Sequence, residues 1–139
     1  AKGLGGGLPI GAALLGEKVQ SVLGPGDHGS TYGGNPVCCA GAVSIVSRID
    51  DTLLADVRRK SEYIFSALQG APGIESVTGM GLMVGIQTTK NAKEVVNACI
   101  EKGVLALTAK TKIRLLPALN IPMEQLKQAI EILKAVAAE

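Results

Sequence analysis

Lys2, the Ser30–Thr31 pair, Arg114 and the cysteines are the side chains whose type and setting could do chemistry. Lys2 stands ahead of a glycine run, "AKGLGGGLPIGA". An uncharged lysine amine is both nucleophile and base, and glycine neighbours let backbone approach a ligand and adopt a positive φ. Ser30 and Thr31 lie in "GDHGSTYGGNP", where hydroxyls and the backbone amides of a turn can hold an anion. Arg114, between apolar neighbours in "KIRLLP", is expected to be mostly buried and so to need an anionic partner, which its planar fork would grip bidentately. Cys38 and Cys39 are adjacent and Cys99 is distant, which fits neither zinc spacing nor a disulfide framework; all three thiols are expected to act as small buried hydrophobes.

Each motif also has a plainer reading. A phosphate loop places its lysine after the glycines with a hydroxyl beside it, and a dinucleotide fingerprint needs GxGxxG; the opening satisfies neither, so Lys2 alone could be a solvated loop lysine. Ser30 and Thr31 could simply satisfy their own turn, and Arg114 could form a structural ion pair. His28, the only histidine, is read as positioning its loop. The run Arg58-Arg59-Lys60 reads as a solvated helix face, and Met80 and Met83 as core.

The elements that must position these groups follow from periodicity. "IGAALLG" reads as a short buried strand, "EKVQSVL" as a turn or two of helix, and "GPGDHGSTYGGNP" as loop. "PVCCAGAVSIVSRI" opens with proline and is apolar nearly all round, as a buried helix would be. A second helix starts near Asp51-Thr52, carries Leu54, Val57, Ile64, Phe65 and Leu68 at helical spacing and ends at Gly70, making a helical crossover of 36–70. Beyond it come two strands hinged at Gly79-Met80-Gly81, a helix stopped by Gly103, two more short strands, and a last helix with Leu126, Ile130, Leu133 and Val136 on one face. The fold class is α/β, or α+β, with a short-stranded sheet and flanking helices. The composition shifts near residue 50, which divides the chain into 1–50 and 51–139.

Composition narrows the function. The 139 residues are 47% apolar and 19% charged, with a net charge of +2, enough apolar surface for a core. Basic residues are not clustered, and two tyrosines and one phenylalanine are the only aromatics, so a nucleic-acid groove is not expected. No apolar run approaches the ~20 residues of a membrane span, and the opening lacks the basic n-region of a signal peptide, so no membrane partner and a reducing cytoplasmic setting are expected.

Taken in order, "AKGLGGGLPIGA", "GDHGSTYGGNPVCCAGA", "GLMVGI" and "IRLLPAL" resemble the C-terminal portion of the class III, fold type I, pyridoxal-phosphate aminotransferases across essentially the whole chain. The resemblance implies that Lys2 forms the Schiff base with pyridoxal 5′-phosphate and shuttles a proton at the substrate α-carbon. It implies that Thr31, helped by Ser30, binds the cofactor phosphate of a neighbouring subunit, the loop crossing a homodimer interface. Arg114 becomes a binder of the substrate carboxylate, and no metal is called for. Residues 1–50 would be the end of the cofactor-binding large domain and 51–139 the small C-terminal domain. The branch it is most similar to moves an amino group from N-acetylornithine, or a related ω-amino donor, to 2-oxoglutarate in arginine biosynthesis. Relatives often carry a basic residue where Thr78 stands, so a carboxylate or phosphate contact from that hairpin is not expected, and Ala118 replaces a frequent second proline.

In that family the acidic partner of the pyridine nitrogen, the ring-stacking aromatic and a phosphate-binding helix N-terminus all precede the lysine motif. The 139-residue chain alone is therefore expected to be inactive. The alternative is a non-catalytic α/β dimerisation or interaction domain with a glycine-rich edge.

Overall fold

"MVGIQT" alternates inward and outward side chains, the pattern of a strand with one covered face, and it forms the middle of a sheet. In the computed structural model, which describes residues 2–139, the chain divides after Asp50 into two units. The second, Asp51–Glu139, holds the strands β1 (Ile74–Met80), β2 (Met83–Thr88), β3 (Leu107–Ala109) and β4 (Lys112–Leu115). They form one antiparallel sheet in the order β1-β2-β4-β3. Register places Thr78, Gly85, Arg114 and Leu107 in one row across it.

Helices α2 (Asp51–Leu68), α3 (Ala92–Glu101) and α4 (Met123–Ala138) cover one sheet face. There Val84, Ile86 and Ile113 meet Ile64 and Leu68 of α2, Val95, Val96 and Cys99 of α3, and Leu126, Ile130, Leu133 and Val136 of α4. Each fully buried aliphatic side chain contributes about 1.5–3 kcal/mol, so this shared core holds the unit together. Burial also pushes the Cys99 thiol above its ordinary range, against the opposing charge of Lys102. The other face of the sheet is open and carries Thr78, Gly85, Lys112 and Arg114.

The β1–β2 hairpin turns at Gly81-Leu82, since Met80 pairs with Met83, rather than at the expected Gly79 to Gly81. Gly81 takes a positive φ of 57° at the first turn position, where a type II′ hairpin favours glycine. Met80 is 87% exposed and Met83 57%, so neither is core; Leu82 between them is buried instead. Lys60 departs further from expectation. It is 2% exposed, its ammonium paired with Asp56 one turn back and donating to the Leu119 carbonyl at 3.0 Å. Arg58 and Arg59 stay exposed, as a solvated face should. Lys60 differs because it falls on the inward stripe with Ile64 and Leu68, and its length lets the charge reach polar atoms at the edge.

The first unit contains a 3-10 turn, Lys2–Gly5, and helix α1 (Pro36–Val46). Asn35 caps α1, its side-chain oxygen accepting from the amides of Val37 at 3.0 Å and Cys38 at 3.2 Å. Backbone at 47–50 separates α1 from α2, so 36–70 holds the two expected helices, the second starting at Asp51. No residue of α1 is buried, contrary to expectation, and Cys38 and Cys39 are only half-buried. A helix apolar on every side needs cover on every side, and within this unit the Lys2–Gly5 turn covers one. "IGAALLG" forms no strand, because no described segment of the unit offers it a ladder of hydrogen bonds. "EKVQSVL" makes two consecutive turns, the amides of Val19 and Gln20 donating to the Gly16 carbonyl and that of Val22 to the Val19 carbonyl.

Candidate functional site

Lys2 begins the 3-10 turn with a φ of 57°, left-handed for a residue that is not glycine. Such a conformation costs on the order of 1 kcal/mol and persists only where its surroundings fix it. What fixes the turn is close packing on α1. A Cβ on Gly41 would stand 3.1 Å from the Gly5 carbonyl oxygen and 2.6 Å from Leu8 Cδ1. A Cβ on Gly5 would stand 2.7 Å from Ile10 Cγ2, and one on Gly6 would stand 3.0 Å from Ile45 Cδ1. Gly3 and Gly7 differ: nothing lies within 4 Å of where their Cβ atoms would be. The glycine run therefore has two duties. Gly6 and Gly41 let the turn seat against α1 and Gly5 lets it pass Ile10, while Gly3 and Gly7 border open space. Lys2 itself is exposed and makes no hydrogen bond or ion pair among the described residues.

The loop before α1 is held by backbone and by Asp27. Asp27 Oδ2 accepts from the Gly24 amide at 2.6 Å, while the Asp27 amide donates to the Gly24 carbonyl at 3.2 Å. The Gly33 amide donates to the Ser30 carbonyl, and the Asn35 amide to the Tyr32 carbonyl, each at 3.2 Å. Ser30 and Thr31 are exposed, and among the described residues neither hydroxyl makes a hydrogen bond. The carbonyl of Ser30 closes the turn, so both hydroxyls stay free for another acceptor or donor. His28 is exposed and its ring bonds nothing among the described residues; Asp27, not His28, shapes the loop.

Arg114 lies in the second unit, on the open sheet face, and is exposed rather than buried. The alternation of β4 explains this: Ile113 points into the core, so Arg114 must point away. Among the described residues it has no ion pair, which removes the structural salt-bridge reading. Two concavities meet at its side chain. One, of about 270 Å³, is apolar and lined by Leu105, Leu107, Leu116 and Ile121. The other, of about 650 Å³, runs over the sheet past Thr78, Gly85 and Lys112. Lys2, Ser30 and Thr31 thus belong to one unit and Arg114 to the other. Lys112 was not singled out by sequence, although its place two residues before Arg114 puts both cations on one strand face.

The amine of Lys2 and the two hydroxyls, in the first unit, and the guanidinium of Arg114, in the second, are thus unengaged among the described residues. The Aminotransferase class-III family model matches residues 1–137. The chain belongs to the class-III aminotransferases. It is 48% identical to acetylornithine aminotransferase of Haemophilus ducreyi, across 100% of this chain and 36% of that protein. It is 42% identical to the Clostridium acetobutylicum enzyme of the same name, across 95% of this chain and 36% of that one. Among solved structures, ornithine aminotransferase of Toxoplasma gondii superposes with a TM-score of 0.74 at 29% identity, covering 84% of this chain and 30% of that one; its active site holds pyridoxal phosphate at partial occupancy. Acetylornithine aminotransferase of Elizabethkingia anophelis gives 0.69 at 31% identity, covering 83% and 31%. This class-III aminotransferase chain spans about 36% of the length of those two curated relatives, and its α/β fold is that of the matching part of fold type I enzymes. Among the described residues no helix is long and apolar enough to cross a membrane, and no group of three or more His, Cys, Asp or Glu is placed to hold a metal.

Proposed function

We propose that this chain is the C-terminal portion of a pyridoxal-phosphate aminotransferase that moves an amino group from N-acetylornithine, or a closely related ω-amino donor, to 2-oxoglutarate in arginine biosynthesis. On this reading 1–50 closes the cofactor-binding domain and 51–139 is the small C-terminal domain. The observation that carries it is Lys2: an exposed side chain with no hydrogen bond or ion pair among the described residues, at the start of the turn seated on α1, in a chain whose family match runs from residue 1 to 137. The curated relatives named acetylornithine aminotransferase support the choice of donor.

Pyridoxal phosphate supplies an aldehyde for an amine to join and an electron sink for the bond broken at the substrate α-carbon. The residues present fit it. Lys2 Nζ is free to hold the cofactor and then to take and return a proton at the substrate α-carbon. The Ser30 and Thr31 hydroxyls are free to donate to phosphate oxygens, across a homodimer interface in which Thr31 serves the neighbouring subunit. Exposed Val37, Val43 and Val46 of α1 supply apolar surface for such a cytoplasmic dimer. Arg114 holds the substrate carboxylate through its fork. The chain spans about 36% of the length of its curated relatives, so turnover is a property to test in the complete enzyme.

The test is cofactor attachment and turnover in the complete polypeptide. Lys2→Ala should abolish the visible absorbance of covalently held cofactor and all turnover. Arg114→Gln should keep that absorbance and raise KM for the amino donor at least tenfold. Cofactor absorbance that survives Lys2→Ala unchanged would sink the reading.

A further inference from the structure

Lys60 is a charge on the inward stripe of α2, one turn before Ile64, where an apolar side chain would pack. It is 2% exposed. Taking an ammonium out of water is costly, and packed apolar side chains in place of a buried ion pair are often neutral or stabilising. Core stability alone therefore does not account for a lysine here. What a lysine adds over a leucine is direction. Its ammonium pairs with Asp56 Oδ2 at 2.5 Å and donates to the Leu119 carbonyl at 3.0 Å, 59 residues further along the chain. Arg59 holds the other Asp56 oxygen at 2.6 Å, so the carboxylate is fixed on both sides.

The carbonyl that Lys60 reaches belongs to the irregular segment 116–122, which joins β4 to α4. Pro117 and Pro122 have no amide hydrogen, so the segment has fewer donors with which to fix itself. It does close one turn, the Ile121 amide donating to the Ala118 carbonyl at 3.0 Å. Leu116, Pro117 and Ile121 of this segment line the apolar cavity of about 270 Å³ that also meets Arg114. Leu119 stands between Pro117 and Ile121 in the chain. A bond that fixes its carbonyl thus fixes the stretch of backbone carrying that wall. Burial makes the bond strong and leaves the ammonium no water to exchange it for.

We propose that Lys60 is a positioning residue of the substrate site: held by Asp56, it anchors the Leu119 carbonyl and so sets the 116–121 wall of the apolar cavity beside Arg114. Lys60 touches no substrate. It acts through the backbone of a segment that lies far from it in sequence, and its effect falls on binding, not on the reacting atoms. The proposal rests on the aminotransferase reading, which makes that cavity part of a substrate site, and adds the device that shapes it.

The test uses the complete polypeptide and two readouts, amide hydrogen exchange across 116–121 and the steady-state kinetics of the amino donor. Lys60→Met should quicken that exchange about tenfold, since the segment loses its anchor. It should raise KM about fivefold and leave kcat within about twofold, the pattern of lost binding without lost chemistry. Lys60→Arg keeps a buried donor and should restore most of both. The double variant Asp56→Leu/Lys60→Met replaces the ion pair with apolar side chains, so it should recover the stability that the single variant loses, yet keep the fast exchange and the raised KM. Val95→Ala, in the core away from the cavity, should lose stability and keep the wild-type KM. A double variant with wild-type exchange and KM would overturn the proposal, as would faster exchange with KM unchanged, or a KM raised equally by Val95→Ala. A wild type that turns over no amino donor would refute the aminotransferase reading and with it the substrate role of Lys60, while faster exchange in Lys60→Met would still establish the anchor.

Discussion

Gly41 of α1 meets the backbone of Gly5, whose carbonyl oxygen lies 3.1 Å from the place a Cβ on Gly41 would occupy. That approach is what seats the turn bearing Lys2. Backbone cannot swing aside as a side chain does, so a larger residue at 41 must move the turn or the helix.

Gly41→Val is therefore expected to displace the Lys2 turn, with an overpacking cost of about 1–3 kcal/mol. In the complete enzyme it should reduce covalent cofactor attachment at least tenfold, read from visible absorbance. Gly16→Ala is the control: nothing lies within 4 Å of the added methyl, and its attachment should match the wild type.

Lys60 offers a second test, of stability. Its buried ammonium is bound by Asp56 and by the Leu119 carbonyl, tying α2 to the segment that follows β4. Lys60→Met keeps the apolar stem but strands a carbonyl, at an expected cost of about 1–3 kcal/mol in urea unfolding. Arg58→Met, on the exposed side of the same helix, should stay within about 0.5 kcal/mol of the wild type. Equal losses for the two would refute the distinction.

Asp56 makes the stability of the second unit depend on acid. Hydrogen bonds from Lys60, and next from Arg59, hold its carboxyl below the ordinary value of 3.8. A carboxyl with a depressed folded pKa stabilises the protein fully well above its unfolded pKa, and that stabilisation is lost as pH falls through the folded pKa. Urea midpoints of the wild type should thus fall below about pH 4 more steeply than those of Asp56→Asn. Parallel curves would exclude the effect.

Much of the second unit was legible because its helices are amphipathic. The spacing of Leu126, Ile130, Leu133 and Val136 determined both the helix and its buried face. Lys60 and Met80 were misread for a common reason: residue type says what burial costs, not where the backbone points. Lys60 falls on the inward stripe of α2, and a two-residue turn at Gly81-Leu82 sends Met80 outward. The strand expected at "IGAALLG" failed because a strand exists only with a partner, which apolar content does not supply.

By itself the sequence determined the family, through four ordered motifs, and the residue types that could serve it: a lysine beside glycines, two hydroxyls in a turn, an arginine on a strand. These are local properties, readable from neighbours along the chain. Tertiary structure decided which glycines pack and which leave space, that Arg114 is exposed with no ion pair among the described residues, and that Lys112 stands beside it under the hold of Thr78. Those facts depend on strand register, which brings position 78 beside 85 and 85 beside 114. Register is set by the fit of whole faces to one core, and no single stretch of sequence contains it.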